Sequence, residues 1–292
     1  MTPSGDGLSV EPANNVSIGE YSPIELFYLS AQLGGKFILG LDDPLLGYLT
    51  EEIDAVRMQV RQRLIDRGDV VVDADDLVVM EPSLHHQIET VTFPDVWVLV
   101  GASGSAAAAD HTFYLKNGDA VQLTRGTDTT RLLVSLSGVE DVLARLVDLL
   151  RLTVQPAAAG GDVSLPGEAF DECWRSVTEE NDPSKGQACL ERHGVAQESA
   201  LALSRAMATS ERSALVSFYR LGREAWEPTW LRVLEDETGL RLVRSTNRHG
   251  RSWVDVASRD ATALAADLRR ALDSAEAGPG AGRAPDAVRP VA

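Results

Sequence analysis

Cysteine is nearly absent: Cys173 and Cys189 are the only two in 292 residues, too few and too far apart for a disulfide framework. No CxxC pair exists to suggest a zinc ribbon, so both are read as buried or half-buried free thiols of a reducing cytosol. Positive charge is scarce as well, with 27 Lys plus Arg against 44 Asp plus Glu and a formal net charge of −17. Such a field repels phosphate backbones and anionic headgroups, which argues against nucleic acid as a partner. Long apolar runs are missing too. Nothing approaches the ~20 residues that span a bilayer, and the start from Met1 to Gly7 has neither the basic nor the apolar stretch of a secretory signal. The expectation is a soluble, cytoplasmic protein without membrane insertion.

Catalytic patterns are equally thin. Gly101-Ala102-Ser103-Gly104-Ser105 lacks the GK[ST] ending of a phosphate loop and the flanking glycines of a nucleophile elbow, so it reads as a flexible hairpin loop. Asp73-Ala74-Asp75-Asp76 opens like a calcium loop, but the sixth position is Val78 and the twelfth Leu84, which leaves a solvated acidic turn. The adjacent His85 and His86 diverge by about 100° on a helix and cannot share a metal as an i, i+4 pair could. Glu179-Glu180-Asn181-Asp182 is a polar loop, whereas acid–base chemistry needs carboxylates converging from separate elements. No catalytic residue, metal ligand or cofactor site is expected, and the chain is read as not an enzyme.

An internal repeat is present instead. Val96-Trp97-Val98-Leu99-Val100, Thr112-Phe113-Tyr114-Leu115, Ala120-Val121-Gln122-Leu123 and Arg131-Leu132-Leu133-Val134 read as four strands, with a tight turn at Asn117-Gly118. An amphipathic helix follows through Val139, Val142, Leu143, Leu146, Val147 and Leu150. The same order returns at Leu215 to Tyr219, Thr229 to Leu234, Leu240 to Arg244 and Ser252 to Val256, closed by a helix through Leu264, Leu268 and Leu272. Helices ending at Gly68 and Gly194 and short helices near 81–90 and 197–208 precede the strands of each half. The predicted division is a disordered tail 1–19, an α+β half 20–155, a linker 156–167, a second half 168–274 and a disordered tail 275–292, the halves sharing one sheet.

Tyr21-Ser22-Pro23-Ile24-Glu25-Leu26-Phe27-Tyr28-Leu29, the helix end at Arg67-Gly68, the twofold repeat of strands, and Arg248-His249-Gly250-Arg251-Ser252-Trp253-Val254-Asp255-Val256 before a final helix together resemble the EspG family. These are cytosolic chaperones associated with ESX (type VII) secretion. The likeness spans about residues 20 to 273. It implies an α+β fold with an antiparallel central sheet, two helical bundles and a pseudo-twofold axis. It also implies no cofactor, and a partner that is a PE/PPE-like or WXG-type helical protein whose apolar tip is held soluble before export. The chain itself would be a monomer or homodimer. Alternatives are a non-catalytic scaffold or regulatory module that self-associates through its sheet and, behind it, an enzyme of unrecognised class.

The resemblance places no contact residue, so candidates rest on the residues alone. The segment 101–111 is long and rich in small residues where a hairpin needs two to five. It contributes Gly101, Ser103, Ser105 and His111. Trp97, Trp230 and Trp253 fall on strands and are expected to be half-buried, while Trp226, beside Pro228 in a loop before a strand, is the aromatic candidate for an exposed partner contact.

Overall fold

In this computed structural model, Asn117 and Gly118 both take positive φ, 53° and 87°. This is the twist a two-residue hairpin turn needs between right-handed strands. The turn joins β5 (His111–Lys116) to β6 (Asp119–Arg125), and β4 (Val96–Ser103) and β7 (Arg131–Leu136) flank them as a four-strand antiparallel meander. A second meander consists of β9 (Arg212–Leu221), β10 (Trp226–Asp236), β11 (Gly239–Arg248) and β12 (Arg251–Arg259). The structure describes residues 18–103, 111–126, 129–150, 161–179, 182–209, 212–221, 226–236 and 239–276.

The two meanders meet at a seam, where β4 runs antiparallel to β9 from Val96 opposite Arg220 to Ser103 opposite Ser213. One sheet of ten strands results, in the order β1-β7-β6-β5-β4-β9-β10-β11-β12-β8. Its edges are β1 (Ile18–Tyr21), paired with β7, and β8 (Val163–Pro166), paired with β12. The halves therefore match even at their edges. Two boundaries expected from sequence are corrected here: Ile18 and Gly19, placed in the N-terminal tail, belong to β1, and the C-terminal part of the supposed linker is β8. Both strands have four residues, too short for alternation to stand out from neighbouring loop sequence.

The helices obey local rules. In α1 (Pro23–Gln32), Ser22 and Glu25 form a reciprocal capping box with Pro23 in the first turn, and α2 (Thr50–Arg67) stops at Gly68, whose φ of 79° is left-handed. A small hairpin of β2 (Val70–Val72) and β3 (Val78–Met80) precedes α3 (Pro82–Thr92). The second half has α5 (Gly167–Thr178), α6 (Pro183–Arg192) and α7 (Gln197–Thr209) in the corresponding places. The meanders are closed by α4 (Val139–Leu149) and α8 (Ala261–Glu276).

Alternation along the strands divides the core into three. On one face, Val98, Phe113, Val216, Phe218, Val233 and Leu242 pack beneath Val142 and Leu146 of α4 and Leu264, Leu268 and Leu272 of α8. On the other, Tyr114, Val121, Leu123 and Leu133 take α1 to α3, whereas Leu234, Val243, Val254 and Val256 take α5 to α7. The fold is thus α+β, with an antiparallel sheet, two bundles on one face and a helix pair on the other.

Asp267 of α8 is buried among this apolar packing, yet it accepts hydrogen bonds from Arg259 Nε at 2.8 Å and from Arg270. Burial pushes its pKa up, but the hydrogen bonds and charges of the two guanidiniums outweigh this and hold it below the usual carboxylate range. A folded-state pKa below the unfolded value stabilises above the unfolded pKa of ~3.9, and the benefit is lost as pH falls through the folded value. Asp267→Asn is expected to lose about 1.5–3 kcal/mol at pH 7, the range of a charge-assisted hydrogen bond. Urea unfolding at pH 7 and pH 3 checks this: the gap from the wild type should shrink at pH 3, and an unchanged gap would refute the ionic account.

Candidate partner-binding surface

The seam lies on the sheet face that carries the two bundles, with Trp97 packed against the first and Trp230 against the second. On that face, β4 presents Trp97 and Leu99, β9 presents Leu215 and Tyr219, and β10 presents Trp230 and Arg232, all half-buried, while Leu221 at the end of β9 is 53% exposed. Trp97 and Tyr219 are direct cross-strand partners whose rings stack with centroids 4.4 Å apart and an interplanar angle of 25°. Aromatic pairs across strands rigidify a sheet surface, so this floor is preformed.

Arg232 forms one wall. Its guanidinium lies over the Trp174 ring of α5 at 4.5 Å, and Trp174 in turn packs on Phe170 at 5.8 Å. Desolvation lowers the Arg232 pKa and the charge of Asp171 offsets this in part. Other arginines have carboxylate partners: Arg67 on Glu25 and Asp69, Arg248 on Asp255, Arg259 on Asp267. Among the described residues no carboxylate lies within ion-pair distance of Arg232. A half-buried cation over an aromatic floor suits an apolar segment that brings its own acceptor.

The residues nominated from sequence are not brought together. Gly101 sits on the groove face opposite Leu215, and Ser103 ends β4 opposite Ser213; Ser105 lies outside the described residues. His111 pairs with Val100, so by alternation it faces α4 and α8, and its Nδ1 is 2.9 Å from Nε2 of the buried Gln122. Trp226 starts β10 rather than occupying the preceding loop, and it pairs with Leu221. From Leu215 to Leu221 along β9 is about 20 Å at 3.3 Å per residue, which puts Gly101 and Trp226 at opposite ends of the seam. Trp97, Trp230 and Trp253 are half-buried, as their strand positions predict. Sequence reasoning missed Tyr219 and Arg232 as groove residues. The pattern of two matching meanders contains a signal for Tyr219, because the first strands of pseudo-symmetric meanders are the ones able to meet at a common axis, but none for Arg232, which lies on the second strand of its meander.

The cysteines correct a further expectation. They are buried as predicted but joined: Cys173 of α5 and Cys189 of α6 form a disulfide with Cα atoms 5.4 Å apart. Distance in sequence misled, since an antiparallel helix pair returns the chain to the same point after sixteen residues. Among the described residues no helix is long and apolar enough to cross a membrane.

No protein-family model matches the chain, and no curated protein matches it by sequence. A solved structure does match: the Mycobacterium tuberculosis type VII secretion system chaperone EspG5, in complex with the PE25-PPE41 dimer. The TM-score is 0.64 at 15% sequence identity, over 89% of this chain and 97% of that one. The chain has an EspG-like fold.

Proposed function

We propose that the protein is a non-catalytic chaperone of type VII secretion, holding the apolar tip of a PE/PPE-like or WXG-type helical protein in the cytosol before export. The observation that carries this reading is the half-buried aromatic seam between the two bundles of an EspG-like fold. Its floor of Trp97, Leu99, Tyr219 and Leu221 offers rigid apolar area to a helix tip that would otherwise aggregate. The likeness to EspG5 supports the partner class, since that chaperone is bound to a PE–PPE dimer.

Self-association through the sheet is the competing reading, and the edges disfavour it. Both edge strands are four residues long, and β8 ends in Pro166, which has no N–H to donate. Short edges and edge proline are the usual protections against strand addition. Purification of the tagged chain from its native cytosol, followed by native mass spectrometry, is expected to yield a stoichiometric complex with one helical export substrate. Recovery of the chain only as a homo-oligomer, with such substrates present in the lysate, would overturn the chaperone reading.

A further inference from the structure

The helices α5 and α6 are fastened at one buried point, and that point contains more than two sulfurs. His193 follows Cys189 by four residues at the end of α6, the spacing that brings side chains to one helix face. The donor atoms of Cys173, Cys189 and His193 all lie within 4.8 Å of one another. The sulfurs are sealed in the apolar core of the second bundle, whereas the His193 side chain is 30% exposed and gives access from solvent. Glu172, next to Cys173, places Oε2 3.3 Å from His193 Nε2 and also accepts from Arg192 Nη1 at 3.0 Å. A carboxylate on one ring nitrogen fixes the tautomer and leaves Nδ1 as the donor, the arrangement that supports metal-bound histidines.

We propose that, once the disulfide is reduced, Cys173, Cys189 and His193 bind a Zn2+ ion, with Glu172 orienting the imidazole. The chemistry is a two-electron exchange followed by coordination. A cellular dithiol reduces the S–S bond to two thiols and is itself oxidised to a disulfide; Zn2+ then displaces one proton from each thiol, and water takes the fourth position. Two thiolates and an imidazole are a borderline-soft set that favours zinc over magnesium or calcium. Zinc–sulfur bonds of about 2.3 Å put tetrahedral sulfurs roughly 3.7 Å apart, so the sulfurs need only separate within the existing cluster. In a reducing compartment, where disulfides are rare, the ion fastens α5 to α6 at the point where the crosslink does so under oxidation.

The test uses the full chain, reduced with a phosphine, desalted without oxygen and titrated with Zn2+ against a chromogenic chelator. One ion per chain is expected, with two protons released and both thiols protected from alkylation. Co2+ in place of Zn2+ should give a sulfur-to-metal charge-transfer band. His193→Ala should weaken Zn2+ binding more than about tenfold and Glu172→Gln by about tenfold, the range for loss of a supporting partner. His193→Ala should still form the disulfide on oxidation, which separates loss of the site from loss of the fold. Equal Zn2+ affinity in wild type and His193→Ala, or thiols alkylated at the same rate with and without Zn2+, overturns the proposal.

Discussion

Gly101→Trp is expected to weaken partner binding roughly thirtyfold while leaving the fold intact. A Cβ at this position meets nothing closer than the Leu215 carbonyl oxygen at 4.0 Å, and Gly101 shows no left-handed backbone that would resist a side chain. Glycine is a poor strand residue, so an aromatic replacement is neutral or favourable to β4 itself. Its ring would project onto the groove face beside Leu99 and occupy space an incoming helix tip needs. A steric block at one end of an apolar contact is expected to cost about as much as the loss of a hot spot, about 2 kcal/mol or roughly thirtyfold in affinity. Titration calorimetry with the co-purified helical substrate reads this directly, and thermal unfolding should stay within a few degrees of the wild type. Arg232→Gln belongs in the same series, because a carboxylate on the substrate tip would lose its charged partner. Undiminished binding by Gly101→Trp would move the contact away from the seam while leaving an EspG-like fold in place.

That experiment depends on a surface only half legible in the sequence. The meanders could be read because strand residues alternate or run apolar between turn signals, and Asn117-Gly118 supplied a turn with a mechanism. Order within each meander followed from short connections. The pairing of β4 with β9 did not, since it joins residues more than a hundred positions apart and leaves no local trace. The groove floor depends on that pairing. Loop length and aromatic content therefore drew attention to 101–111 and Trp226, of which Gly101 and Trp226 stand at the two ends of the seam, while Tyr219 read only as one more apolar strand residue. The same blindness applied to Cys173 and Cys189, whose contact depends on how α5 returns through α6. Local chemistry was visible; convergence across elements was not.

The seam also sets the cooperativity of the molecule, and Phe218→Ala tests it. Phe218 and Phe113 are both fully buried, and Val98 lies between them as the register partner of each. This row crosses from one meander to the other beneath α4 and α8, so it belongs equally to both halves. Truncating a buried phenylalanine costs about 3–5 kcal/mol, through lost transfer energy and the cavity left behind. At 2–4 °C per kcal/mol for a domain near this size, the melting temperature should fall by roughly 10 °C. We expect the variant to unfold in one transition, because the halves share a continuous sheet and one of the three cores. Denaturant unfolding followed by far-UV circular dichroism and by tryptophan fluorescence checks this, Trp97 and Trp230 reporting on the seam and Trp174 on the second bundle. Coincident curves at a lowered midpoint support a single cooperative unit built on the β4–β9 ladder. Separate transitions, with the second bundle melting at its wild-type midpoint, would mean that each half is stabilised by its own helices and that the seam only docks them together.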